Sequence, residues 1–223
     1  MTYKFFRFFL AVSCFLVLNI HVQAEPLNLD LLRQNIEAYH DSGAYDRDLR
    51  AVARNAIRYI NQRTAFNQYH KHPKKLAIVL DIDETSLSNY SQMRSRHFVG
   101  TKTQLVEEIH AADFPAIKPI LEVYRDALQH HVAVFFVTGR KEPERRATIA
   151  NLKKAGFTHW SGIYFKPTQY NNKSVIPYKS RARAAIYRKG YTIIASIGDQ
   201  CSDLKGGYTE AGFKLPNPFY YLP

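Results

Sequence analysis

Cysteine is scarce: Cys14 and Cys201 are the only two in 223 residues, too few for a disulfide framework. No apolar run reaches the roughly 20 residues that span a membrane. There is no internal repeat and no low-complexity linker. Acids are also in short supply, 19 Asp and Glu against 31 Lys and Arg, giving a net charge of +12 with histidine neutral. That balance favours anionic partners such as phosphate esters, nucleic acid or an acidic membrane surface, and it says nothing about fold. The basic residues Arg125, Arg145, Arg146, Lys153, Lys154, Arg181, Arg183 and Arg188 are scattered and form no single stripe with stacking aromatics, so no nucleic-acid partner is expected.

What is present is the composition of a folded domain. Apolar residues make up 46% and charged residues 22%, which excludes disorder and coiled coil, and 15 Tyr and 14 Phe supply a sizeable core. The length fits one domain with an embellishment. At the start, Lys4 and Arg7 precede an apolar stretch from Phe8 to Ile20, broken by Ser13, Cys14 and Asn19 and followed by His21-Val22-Gln23-Ala24. A charged beginning, a short apolar middle and a small-residue ending read as an export signal over residues 1–24, cut after Ala24. An uncleaved anchor is the alternative, but the run is short for one. The expectation is an exported protein, in a bacterial periplasm or secreted, with no stable membrane anchor after cleavage. Removal of Cys14 would leave Cys201 alone, without an intramolecular disulfide.

From Glu25 to the end, helical and strand patterns alternate. Apolar residues at helical spacing mark Leu27 to Tyr39 and Asp46 to Thr64, with a turn at His40-Asp41-Ser42-Gly43 between them. Leu76 to Leu80 is a continuous apolar run, as expected of a strand buried on both faces. Further strands are predicted at Val132 to Val137, Ile163 to Phe165 and Ile193 to Ile197, with helices at Ile117 to His130, Glu144 to Ala155 and Arg181 to Lys189. This alternation implies an α/β fold, a Rossmann-like open parallel sheet with helices on both faces, on which the N-terminal helices pack. Ligands then sit beyond the carboxyl ends of the strands.

Three of those ends carry polar chemistry. The first strand runs into Asp81-Ile82-Asp83-Glu84-Thr85, where alternation points Asp81 and Asp83 the same way. Paired carboxylates need a cation or a proton, although an acidic turn capping a helix would look the same. The second ends in Thr138-Gly139-Arg140, a hydroxyl, a flexible glycine and a guanidinium that suit a phosphate, or an ordinary strand-to-helix turn. The fourth ends in Gly198-Asp199-Gln200-Cys201-Ser202-Asp203, catalytic carboxylates or a decorated helix start. A parallel sheet brings all three to one edge, where Asp81, Asp83, Asp199 and Asp203 converge. Oxygen ligands without a His or Cys pair select Mg²⁺ over Zn²⁺.

The ordered set resembles the haloacid dehalogenase superfamily of aspartate-nucleophile phosphatases, and within it the class B/subfamily IIIB acid phosphatases that include plant vegetative storage proteins. The residues that carry the resemblance are Val79 to Asn89, Val137 to Arg140, Tyr178-Lys179-Ser180, Gly198 to Leu204 and the ending Phe213 to Tyr221. It covers roughly Ser42 to the end, departing at Cys201, where plant relatives commonly carry Trp. The resemblance implies an Mg²⁺-dependent acid phosphatase acting on small phosphomonoester substrates. Asp81 would be the nucleophile and Asp83 the general acid and base, with Glu84 pointing away. Mg²⁺ would be held by the Asp81 carboxylate, the Asp83 carbonyl and Asp199, with Asp203 orienting that shell. Thr138, the Gly139 amide and Lys179 would bind phosphate, although Lys166 and Lys173 lie near enough in sequence to compete for the lysine's role. Residues 88–116 would form a small cap, whose Tyr90, Arg94, His97 and Phe98 could shape the leaving-group pocket or merely pack. A non-catalytic storage or binding relative of the same fold is the alternative.

Overall fold

The computed structural model describes residues 26–222; the export signal read over 1–24 lies outside them. Two helices open the described chain, α1 (Leu29–Asp41) and α2 (Ala44–Gln68). The first strand, β1 (Lys75–Leu80), is followed by α3 (Tyr90–Ser95), α4 (Lys102–Ala111) and α5 (Lys118–Gln129). Then come β2 (Ala133–Lys141), a 3₁₀ turn at Glu142–Glu144, α6 (Arg145–Lys154), β3 (Gly162–Lys166) and α7 (Ile176–Arg188). The chain closes with β4 (Tyr191–Gly198), α8 (Cys201–Leu204) and β5 (Ala211–Lys214).

The strands form one five-stranded sheet in the order β3-β2-β1-β4-β5, and every pairing in it is parallel. From β1 the chain moves outward through β2 and β3, then returns across the sheet to β4. The order therefore reverses between β1 and β4, where an open α/β sheet leaves its crevice. Leu80 pairs with Ile197, and the Asp81 N–H continues the ladder by donating to the Ile197 carbonyl at 3.0 Å. This register puts the residues following Leu80 and Ile197 side by side.

Alternation along β1 divides the core. Ile78 and Leu80 face α2 and α5, packing in one cluster with Leu49, Ala56, Ile60, Ile120 and Phe136. Ala77 and Val79 face α7, with Phe135, Tyr178, Ala182 and Ile186. Because α2 supplies Leu49, Ala53, Ala56 and Ile60 to the main core, it is a structural layer of the sheet domain.

The elements differ from the sequence expectation in three places that matter to the site. First, β2 runs on to Lys141, so Thr138-Gly139-Arg140 lies within the strand. Second, α7 begins at Ile176, not Arg181. Pro177, whose fixed φ and missing donor are tolerated in a first helical turn, lets the helix start there. Tyr178, Ala182 and Ile186 supply its buried stripe. Lys179 therefore sits on the helix, not before it. Third, β5 has no counterpart in the expectation, since Ala211-Gly212-Phe213-Lys214 is a half-exposed edge with no apolar run.

Candidate active site

Beyond β1 the chain turns tightly, with the backbone N–H groups of Thr85, Ser86 and Leu87 all donating to the Ile82 carbonyl at 3.3, 2.9 and 2.9 Å. Ser86 Oγ donates to the Asp81 carbonyl at 2.6 Å and steadies the turn. Glu84 takes a left-handed φ of 50° within it, costly for a side-chain-bearing residue unless its surroundings fix it. Its buried carboxylate accepts from the Asn89 N–H and, at 3.3 Å, from the Tyr45 hydroxyl on α2. Burial pushes this carboxyl up to about 8.

The floor of the site is a buried ionic cluster. Lys179 Nζ donates to Asp81 Oδ1 at 2.8 Å and also to Asp203 Oδ1. Oxygens of Asp81, Asp199 and Asp203 lie within 4.8 Å of one another. Burial, reinforced by the Asp203 charge, pushes Asp81 well above the usual carboxylate range, while Lys179 opposes the shift. Asp199 is raised by burial and by Asp203. Lys179 is driven upward because Asp203 and Asp81 outweigh the burial that would lower it. Fully ionised, the three buried carboxylates against one ammonium would carry two uncompensated negative charges. An all-oxygen set with that excess fits a hard divalent cation.

Asp199 is held from several directions. Thr85 Oγ1 donates to its Oδ1 at 3.1 Å, and Gln200 Nε2 and Asn217 Nδ2 both donate to Oδ2 at 2.7 Å. Asp203 Oδ2 accepts from the Gln200 N–H at 2.9 Å. A Cβ at position 198 would come within 2.2 Å of Asp203, so only glycine lets that carboxylate reach the cluster. Thr85, Gln200 and Asn217 all lie within the sequence motifs, but their convergence on Asp199 depends on long-range folding.

The Asp83 carboxylate turns to a different partner. Arg140 grips it as a fork, Nη2 to Oδ1 at 2.7 Å and Nε to Oδ2 at 3.0 Å, and Asn89 Nδ2 adds a bond at 2.8 Å. Burial alone would raise Asp83, yet Arg140 and Asn89 outweigh it and hold the carboxyl below the usual range. The guanidinium that the sequence offered to a phosphate is thus engaged with a carboxylate, and its Nη1 donates to Thr148 Oγ1 at 3.1 Å.

Asp81, Asp83, Gly139 and Lys179 line a cleft of about 590 Å³. Asp199, Asp203 and Thr138 are buried beside these residues. Thr138 Oγ1 accepts from the Arg140 N–H at 3.1 Å, leaving its own proton available. A Cβ on Gly139 would meet nothing within 4 Å, so its backbone borders open space. Of the four residues 90, 94, 97 and 98 expected on the leaving-group side, Phe98 lines the cleft. Tyr90 instead stacks on His40 with centroids 3.4 Å apart, and Arg94 pairs with Asp41 and Glu37. Met93, Leu105, Val106 and Ile109 give the cleft an apolar wall that no sequence motif marks.

Over residues 14–223 the chain matches the family described as HAD superfamily, subfamily IIIB (Acid phosphatase). It is 36% identical over 148 residues to "Acid phosphatase 1" of Solanum lycopersicum, covering 65% of this chain but only 58% of that relative's length. It is 35% identical over 172 residues to "Stem 28 kDa glycoprotein" of Glycine max, covering 73% of this chain and 67% of the relative. Among solved structures, the class C acid phosphatase from Bacillus anthracis superposes with a TM-score of 0.68 at 20% identity, over 86% of each chain, a likeness of fold.

Proposed function

The chain belongs to subfamily IIIB of the HAD superfamily, the acid phosphatases, and from that premise we propose that it hydrolyses small phosphate monoesters through an aspartyl-phosphate on Asp81. The observation that carries this reading is the buried cluster in which Asp81, Asp199 and Asp203 meet around Lys179 at the point where strand order reverses.

Lys179 fixes Asp81 through Oδ1, and no hydrogen bond among the described residues reaches Oδ2. An Asp81 carboxylate oxygen attacks phosphorus, the bond to the ester oxygen breaks, and Asp83 gives that oxygen its proton. Water then attacks the same phosphorus and loses a proton to Asp83, and the bond from Asp81 breaks to release inorganic phosphate. Splitting one hard displacement into two lowers the barrier to each. Arg140 holds Asp83 ionised at rest, which suits the proton-accepting half, while proton donation to the leaving group calls for acidic conditions. The Thr138 hydroxyl, the Gly139 amide and Lys179 supply prearranged donors to the phosphoryl oxygens.

Mg²⁺ held by the Asp81 carboxylate, the Asp83 carbonyl and Asp199, with Asp203 orienting the shell, would offset the charge of the carboxylates and of the phosphoryl group. The segment 88–116 acts as a small cap over the cleft. Residues 1–24 are an export signal, and the mature chain, starting near Glu25, works in a periplasm or outside the cell without a membrane anchor. Among the described residues no helix is long and apolar enough to cross a membrane. N-terminal sequencing of native protein that finds Met1 intact would remove the export part.

The deciding experiment is phosphate release from p-nitrophenyl phosphate, stopped by exhaustive chelation and restored by Mg²⁺. Turnover that persists without divalent ions would refute the metal site. No turnover under any metal would favour a non-catalytic storage or binding relative.

A further inference from the structure

Four lysines reach the same cleft from four separate parts of the chain. Lys102 comes from the first turn of α4, Lys141 from the end of β2, Lys166 from the end of β3 and Lys173 from the loop before α7. Two acids lie along this part of the cleft, and neither forms an ion pair with one of these lysines. Glu108 pairs with Arg96 Nε at 3.0 Å, and Glu144 accepts from the Lys141 backbone N–H. Burial pushes the Lys166 ammonium below its ordinary value, and Lys141 pushes the same way. Glu144 offsets only part of this, and Lys179 and Lys102 add to the repulsion. Like charges gathered in a cleft from distant segments raise the potential there and draw in an anion.

The scissile phosphate does not account for them. That group is handled at the floor, where Lys179 is already tied to Asp81 and Asp203. The same cleft is lined by the apolar side chains of Met93, Phe98, Leu105 and Ile109. We propose that Lys102, Lys141, Lys166 and Lys173 form a second anion subsite. The preferred substrates are then phosphomonoesters whose leaving group carries its own phosphate or carboxylate. This deepens, and rests on, the phosphatase reading of the same cleft.

The test compares phenyl phosphate with 3-carboxyphenyl phosphate, nearly matched in leaving-group chemistry but differing by one anion. A second pair, the mono- and bisphosphates of 1,3-propanediol, asks the same of a phosphate. Charge-assisted contacts to an extra anion predict a kcat/KM preference of about tenfold or more, carried by KM. It should collapse at about 0.5 M salt and in the Lys166→Gln/Lys173→Gln double variant, with phenyl phosphate turnover unchanged. A preference in one pair alone assigns the anion. Ratios near one in both pairs, or a ratio that survives the double substitution, overturn the subsite.

Calorimetric binding of the same esters to the Asp81→Asn variant separates the two readings, because it needs no turnover. If phenyl phosphate is never hydrolysed but the ester bearing the additional anionic group binds about tenfold more tightly, the phosphatase reading fails and the subsite stands. Equal affinities with normal hydrolysis in the wild type would instead remove the subsite and leave the phosphatase reading standing.

Discussion

Two ionic contacts in this molecule use similar groups in very different surroundings. Lys179 joins Asp81 and Asp203 at the cleft floor, where all three side chains are 3–7% exposed. Arg63 on α2 joins Glu210 near β5, Nε to Oε2 at 2.6 Å, with the two side chains 21% and 32% exposed. Both tie segments far apart in sequence. The surface pair gains little, because water screens the attraction and would solvate either group alone. The floor contact cannot be loosened so cheaply, since removing one partner strands a charge away from water. Stability and the proposed catalysis should therefore depend on these contacts differently, and mutation can separate them.

The largest effect should follow Asp81→Asn. With the proposed nucleophile lost, turnover should fall by about 10⁴-fold or more, and no phosphoenzyme should be trapped from any substrate. Rapid-quench labelling checks this, and a labelled variant would show that the nucleophile lies elsewhere. Next is Asp83→Asn, where loss of general acid help should cost about 10²–10⁴-fold on alkyl phosphates and less on p-nitrophenyl phosphate. Aspartyl-phosphate should then accumulate, because the base is missing as well. Equal losses on every substrate, rescued by excess Mg²⁺, would mean that both acids only bind metal.

A smaller effect is expected one layer out. Asn217→Ala removes a 2.7 Å donor from Asp199, so Mg²⁺ affinity should weaken by about 10–100-fold while kcat at saturating Mg²⁺ changes little. A metal titration of activity reads the split. The smallest effect belongs to the surface pair. Hydrogen bonding from Arg63 holds Glu210 below its ordinary value of 4.5. A carboxylate depressed in the folded state contributes its full stabilisation above its unfolded value and loses it as pH falls through the folded one. Arg63→Ala should therefore cost at most about 1 kcal/mol near neutral pH and progressively less as Glu210 protonates. Denaturant curves at several pH values would measure it, and a constant cost across that range would dissociate the pair from stability.

The sequence shows the sheet and the aspartates because both are local signals. Leu76 to Leu80 is apolar on both faces and ends directly at Asp81, and the parallel topology follows from alternation alone. The partners of those aspartates are not local. Thr85 lies 114 residues from Asp199, and Arg140 lies 57 residues from Asp83. Arg140 illustrates the difficulty, since a guanidinium suits a phosphate and a carboxylate equally well and the folded chain delivers the carboxylate. Lys179 could be preferred to Lys166 and Lys173 only by resemblance. The fold separates them physically, putting Lys179 on the buried face of α7 and the other two along the cleft wall.

The Tyr45–Glu84 contact bears on how far this chain can be pared down. The loop that carries Asp81 and Asp83 bends through Glu84, and Glu84 is braced from outside the sheet by a hydroxyl on α2. A shortened version beginning at β1 would retain every proposed catalytic residue. It would still bare Ile78 and Leu80, which α2 covers through Ile60 and its neighbours, and leave the Glu84 carboxyl one donor short. The smallest unit that keeps the proposed site intact therefore starts no later than residue 44, and efforts to graft or minimise this site must carry the second helix with them.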